Sequence, residues 1–257
     1  MRILVTNDDG VFAERLWILV NELSQIAQVV VVAPDRERSA IGTAVTLYQP
    51  LRVQQVKPLV TGIETYSVEG TPADSVILAL EKLVKDRIDL VVSGINHGLN
   101  LGNDVLISGT VGAALQGHLR GFPALAVSVS AGENQYINSA AKVAALLAKK
   151  MGSYTPPANV FLNVNIPHLP HTQIKGVKIT RLANESHIDT VEEGHDGEQA
   201  YYWLERHKLG QDINSKSDVW AIEQNYISIT PLSINLPGKN STSITNRLCA
   251  DLFQELF

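Results

Sequence analysis

The chain contains one cysteine, Cys249, among 257 residues. A lone thiol forms no intrachain disulfide and no cysteine-rich zinc site. A reducing compartment, the cytoplasm, is therefore the expected location. There is no long basic tract, and the net charge is -5 with a pI near 5.8. That balance excludes the electrostatic footprint of a duplex nucleic-acid binder. A small phosphate remains within reach if a cation is bound. The opening residues, MRILVTNDDG, lack the long apolar core of a signal peptide. No window approaches the roughly 18 uninterrupted apolar residues of a membrane span. The Ala-rich stretch from Ala140 to Ala148 is broken by Lys142 and bounded by Lys149 and Lys150, so no membrane partner is expected. Internal repeats and low-complexity tracts are also missing. No Gly-Lys-Ser/Thr loop occurs, and no Gly-x-Gly-x-x-Gly follows the first apolar run, which removes the Walker A and dinucleotide fingerprints.

What remains is an ordinary globular composition, 45% hydrophobic and 18% charged. The length fits one large domain, or one domain with an appendage. Apolar runs rich in Val and Ile alternate with segments of helical period. Ile3 to Thr6, Gln28 to Ala33, Asp89 to Ser93, Pro123 to Ser128 and Val160 to Ile166 read as strands. Ala13 to Ala27, Thr110 to Leu119 and Asn138 to Met151 read as helices. Gly70 to Asp74 opens another helix, running to about Lys85, with Thr71 as N-cap, Pro72 at N1 and Asp74 at N3. Leu51 to Lys57 and Tyr66 to Glu69 read as short strands of a peripheral excursion.

This alternation predicts an α/β fold, a parallel sheet with helices on both faces. After about Pro167 the character changes. Lys175 to Arg181 and Gln199 to Leu204 read as antiparallel strands, with the acidic stretch Asn184 to Glu198 between them as a loop. Ser217 to Gln224 reads as a short helix, Tyr226 to Thr230 as a strand and Ser243 to Leu256 as a terminal helix. The division implied is a core over residues 1–170 and a C-terminal extension over residues 171–257.

The oxygen-bearing side chains fall at matching places in this pattern. Asn7-Asp8-Asp9-Gly10 directly follows the first strand, Ser39 comes shortly after the second, and Asn96 follows Leu90 to Val92. Parallel strands carry all of these to the carboxyl edge of one sheet, where open α/β folds bind ligands. Two carboxylates, a hydroxyl and an amide oxygen form a hard cluster suited to Mg²⁺ or Mn²⁺. Taken alone, the Asp pair is equally readable as a helix cap, and Ser39 as a loop serine. Arg36 and Arg38 can meet a phosphate or simply face water. His97 is a candidate general acid, although a lone histidine more often has a structural hydrogen bond. Ser108-Gly109-Thr110 opens a helix, and its amides, dipole and hydroxyls suit an anion. A plain Ser/Thr cap explains the same residues.

Seven segments taken together resemble the SurE family, stationary-phase survival proteins with 5′/3′-nucleotidase activity. They are ILVTNDDG, VVAPDRERSA, YSVEGTPADSV, VVSGINHGLNLGNDV, ISGTVGAALQG, FLNVNIP and ISITPL, in order from Ile3 to Leu232. The resemblance implies a phosphomonoesterase with one divalent cation per subunit, held by Asp8, Asp9, Ser39 and Asn96. It implies a Rossmann-like core whose C-terminal extension, a β-hairpin and helix, exchanges between subunits in a homodimer or homotetramer. It also implies hydrolysis of nucleoside 5′- and 3′-monophosphates by water, with Asp8 or Asp9 accepting the proton and Ser108, Gly109 and Thr110 holding the phosphate. Two departures stand out. Ala40 follows Ser39 where family members often have Gly, and residues 184–212 follow the family only loosely.

Adjacent carboxylates argue against covalent phospho-aspartate chemistry, which uses two Asp separated by one residue. Two readings from other classes stand beside the enzyme: a nucleotide sensor without turnover, and an oligomeric interaction protein acting through its C-terminal arm.

Overall fold

The protein is described here from a computed structural model, over residues 1–132, 134–153, 160–184, 187–197, 199–208 and 214–234. The predicted terminal helix, Ser243 to Leu256, lies outside the described residues.

The first strand, β1 (Arg2–Thr6), is almost wholly buried, and its neighbours on both sides run parallel to it. They are β2 (Gln28–Pro34) and β5 (Leu90–His97). Outside β2 lie β4 (Glu64–Val68), also parallel, and β3 (Val53–Gln55), antiparallel at the edge. The expected peripheral excursion is thus partly an extension of the main sheet. Val68 is buried in the core beside Val30 and Val32, with Tyr66 partly buried on the same face, and this contact lets β4 join. Beyond β5 come β6 (Ala124–Val129) and β7 (Phe161–Ile166), both parallel. Then β11 (Tyr226–Pro231) pairs antiparallel with β7, and β8 (Gly176–Ile179) closes the sheet, parallel to β11. The order across the nine strands is β3-β4-β2-β1-β5-β6-β7-β11-β8.

Side-chain alternation divides the core in two. Ile3 and Val5 point to the face covered by α1 (Glu14–Ser24) and α4 (Ile137–Ser153), against Leu16, Leu19, Leu23, Ala140 and Ala144. Leu4, Val30, Val32 and Val91 point to the other face, covered by α2 (Pro72–Leu78) and α3 (Gly109–Leu119). The sheet is therefore a middle layer, buried on both sides, as its continuous apolar strands predict.

Helix α2 starts as its sequence requires. Thr71 Oγ1 accepts from the Asp74 amide at 3.0 Å, and Asp74 Oδ2 accepts from the Thr71 amide at 2.9 Å. This reciprocal pair satisfies two amides the helix would otherwise leave bare.

The C-terminal region departs from the expected pairing. Residues of the predicted acidic loop form β9 (His187–Asp196), which pairs antiparallel with β10 (Gln199–Lys208) in a separate two-stranded ribbon. Charged residues hide the strand from a hydrophobicity reading, since both faces of much of the ribbon meet solvent. The turn signal is nevertheless present: Gly197 follows Asp196 and takes φ +64°. The predicted partner of β10, the segment around β8, sits in the main sheet instead. Helix α5 (Asp218–Glu223) is capped by Ser217, whose Oγ accepts from the Trp220 amide. No helix among the described residues is long and apolar enough to cross a membrane.

Candidate active site

The turn after β1 is built by Asn7. Its side chain accepts from the Gly10 amide at 3.2 Å and donates to the Gly10 carbonyl at 3.0 Å. Gly10 has φ +103°, a conformation that strongly favours glycine. Asp8 and Asp9 are thereby held on a rigid loop at the carboxyl edge of the central strand.

Asp8 is 4% exposed. Thr110, in the first turn of α3, donates to it twice: its hydroxyl to Oδ1 at 2.5 Å and its amide to Oδ2 at 3.1 Å. Thr110, read from sequence as a phosphate donor, has both its donors directed at the carboxylate. Gly109 makes this approach possible, because a Cβ there would lie 2.9 Å from the Asp8 Cβ. Ser108 caps α3, its Oγ accepting from the Val111 amide at 3.1 Å.

The Ser39 loop joins from the β2 side. The Arg38 amide donates to the Asp8 carbonyl at 2.7 Å, which brings the next residue to the Asp pair. Ser39 Oγ is exposed and donates to Glu37 Oε1 at 2.6 Å, leaving its lone pairs for a ligand. Arg36 and Arg38 both pair with Asp35. Ala40 adopts φ +52°. Further along, Thr46 is tied to Asp74 by its amide at 2.9 Å and its hydroxyl at 2.6 Å.

Asn96 arrives from the other side. Thr6 of β1 lies in register with Ser93 of β5, so Asp8 and Asn96 both lie just beyond that pair. The Asn96 amide nitrogen donates to the Gly98 carbonyl at 2.9 Å, which leaves the amide oxygen as the group for coordination. His97 is exposed, and its Nε2 accepts from the Gly132 amide at 3.3 Å. Burial, then Arg15 and His168, hold its pKa below the usual histidine value.

Burial raises the Asp8 carboxyl above the usual range despite the Thr110 bonds. Asp9 is pushed up to about 6, first by burial and then by the charge of Asp8. A cation between the two offsets both effects. The donor set is two carboxylates, one buried and one half-buried, with one hydroxyl and one amide oxygen. It fits a hard divalent ion that keeps part of its water shell. Among the described residues, no group of three His, Cys, Asp or Glu side chains is placed to hold a metal, so any such ion depends on Ser39 and Asn96 as well.

A polar cluster not singled out from the sequence fixes the chain after Asn96. The Asn100 amide donates to Asn165 Oδ1 at 2.8 Å, and the Asn100 carbonyl accepts from the side chains of Asn163 and Asn165 at 2.8 and 2.9 Å. The available signal was the spacing in FLNVNIP. Two asparagines two apart in an otherwise apolar strand share one buried face, and buried amides need partners.

Comparison with known proteins identifies the family. The family model described as Survival protein SurE matches residues 3–189. A protein named 5′-nucleotidase SurE from Dehalococcoides mccartyi (strain CBDB1) is 56% identical over 234 residues, covering 90% of this chain and 88% of the relative.

The chain belongs to the SurE family.

Another 5′-nucleotidase SurE, from Legionella pneumophila (strain Paris), is 42% identical over 98% of this chain and 100% of its own length. The crystal structure of the SurE protein from Aquifex aeolicus has a TM-score of 0.83 at 35% identity, covering 96% of this chain and 99% of that one. The SurE match runs through every segment that contributes to the Asp8 edge. It stops within β9, at the third residue of the strand that begins at His187.

Proposed function

We propose that the chain is a 5′-nucleotidase, a phosphomonoesterase that hydrolyses nucleoside monophosphates to nucleoside and phosphate, with activity toward 3′-monophosphates as well. The observation that carries the reading is the adjacent pair Asp8–Asp9 at the sheet edge, Asp8 buried and gripped by Thr110 and Asp9 half-buried, flanked by Ser39, Asn96 and the opening of α3. The names of its relatives supply the substrate class.

Asp8, Asp9, Ser39 and Asn96 would hold one Mg²⁺ or Mn²⁺ per subunit. Bound there, the cation supplies charge neutralisation and polarisation at the phosphoryl oxygens. The residues do the positioning. Thr110 fixes both oxygens of Asp8, so Asp8 serves as an anchored ligand. Asp9 is less buried and makes the better proton acceptor. It takes the proton of a water that attacks phosphorus in line with the departing ribose oxygen. The water oxygen ends on the phosphate as the phosphorus–oxygen bond to the ribose breaks, and the departing ribose oxygen takes a proton from solvent water to give the nucleoside hydroxyl, Asp9 later returning its proton to solvent. The Ser108 hydroxyl and the Gly109 amide hold the phosphate oxygens at the start of α3. Positioning and charge account for most of the acceleration.

Assembly as a homodimer or homotetramer through the β9–β10 ribbon fits the exposure of Tyr202, Trp203 and Leu204 on it. Light scattering of the purified chain tests this.

The deciding experiment is phosphate release from nucleoside 5′- and 3′-monophosphates with Mg²⁺, with Mn²⁺ and with EDTA, beside Asp8→Asn and Asp9→Asn. Release that needs metal and is lost in both variants supports the proposal. Nucleotide binding without release would replace it with a sensor.

A further inference from the structure

The carboxylate of Asp104 ties the ribbon to the active site. Asp104 lies in the short turn between Asn96 and α3, and its side chain is 7% exposed. Arg206 of β10 donates to Oδ1 at 2.7 Å, and Nδ1 of His187 on β9 lies 2.7 Å from Oδ2. The same residue's carbonyl accepts from the amides of Ile107 and Ser108, each at 3.1 Å. Ser108 is the cap of α3, and two residues on is Thr110, which grips Asp8.

We propose that Asp104 is a positioning residue for the active site, held by Arg206 and His187 of the ribbon and holding in turn the cap of α3. The inference rests on the nucleotidase reading given above. Its physical basis is the cost of burying a carboxylate. Such a group stays in place only while cations or donors offset its lost hydration. Here they come from a ribbon 83 and 102 residues away in sequence. Without Arg206 the carboxylate is drawn toward water, the turn rooted on its carbonyl shifts, and Ser108 and Thr110 move with it. The ribbon thus does more than offer a surface to other subunits: its base braces the catalytic geometry.

The test compares Arg206→Gln, Arg206→Lys and Glu192→Gln in the full-length protein. Glu192 is exposed and sits opposite Trp203, on the ribbon face away from Arg206. Arg206→Gln is expected to lower kcat for phosphate release about tenfold and to weaken Mn²⁺ binding in calorimetry, with KM close to the parent, the scale seen when a metal ligand's support is removed, and to lower Tm because a buried carboxylate loses a partner. Arg206→Lys should recover part of the loss, Glu192→Gln should lose nothing, and Asp104→Asn added to Arg206→Gln should cost little more, since the two act as one unit.

Parental kcat in Arg206→Gln, an equal loss in Glu192→Gln, or a loss accompanied by a changed subunit number in light scattering would overturn the brace. If the parent protein releases no phosphate, the nucleotidase reading fails instead. Mn²⁺ binding by itself then decides the brace: weaker in Arg206→Gln supports it, and unchanged overturns it.

Discussion

Thr110 holds Asp8 by two hydrogen bonds, one from its hydroxyl and one from its backbone amide, on opposite oxygens of the carboxylate. The pair spans 102 residues of sequence and joins the loop after β1 to the start of α3. Removing only the hydroxyl separates the two bonds. Thr110→Val keeps the shape and the amide, and it is expected to weaken Mn²⁺ binding about tenfold, as loss of a ligand's orienting partner does elsewhere. Thr110→Ser should stay near the parent. Calorimetric titration with Mn²⁺ reads both variants without any need for turnover.

The close approach at Gly109 gives a second expectation. A methyl group there would sit 2.9 Å from the Asp8 Cβ and 3.1 Å from the Arg38 carbonyl. Gly109→Ala must therefore push apart the two segments that meet at the site. Overpacking of this kind costs about 1–3 kcal/mol. Thermal unfolding should show the loss, and phosphate release should fall further than stability alone accounts for.

The acidic pair sets a pH dependence. In the folded chain Asp9 titrates near 6, above its ordinary value of 3.8. The folded state then binds more protons than the unfolded one between those limits, so metal-free stability falls as pH rises through that window. The penalty is complete above the folded value and absent below the unfolded one. In EDTA, Asp9→Asn should therefore gain Tm relative to the parent as pH is raised from about 4 to about 7. Mn²⁺ competes with the same proton, so its affinity should climb up to roughly pH 6 and then level off. A flat affinity profile would show that Asp9 is not a ligand.

Ala40 takes a left-handed backbone that a side chain disfavours. The family resemblance leads one to expect glycine at this position, and a left-handed backbone is the conformation that glycine adopts most freely. Ala40→Gly relieves the clash but frees the unfolded chain, so the net gain is at most about 1 kcal/mol. A rise in Tm of roughly 2 °C is expected for a chain of this size. A fall would mean that contacts of the Ala40 methyl outweigh the strain.

The parts of this molecule legible in its sequence are those governed by local rules. The capping box at Thr71 and Asp74 follows from residue type and a three-residue offset. The buried strands announce themselves as runs of Val and Ile, and the Asp8, Ser39 and Asn96 edge follows from strand order alone. Long-range hydrogen bonding was not legible. Nothing local tells that Thr110 spends its donors on Asp8 and not on a ligand, or that Asn163 and Asn165 close on the carbonyl of Asn100. The ribbon was misread for a related reason: β9 buries too little to produce an apolar alternation, and its partner could not be chosen by hydrophobicity. Nothing local marks Asp104 either, because its partners His187 and Arg206 lie 83 and 102 residues away.

The strand order carries a consequence of a different kind. From β1 the chain first builds outward to β2 and β4, then returns to build the other way from β5. Ser39 comes from the first half and Asn96 from the second, with the Asp pair on the loop that ends the strand between them. Neither half alone owns the site. Outer strands and the loops beyond them can lengthen, shorten or change partners in descendants of this chain without disturbing the central four oxygens. The substrate preferences of such a scaffold are free to drift at its margins while the chemistry stays pinned at the seam.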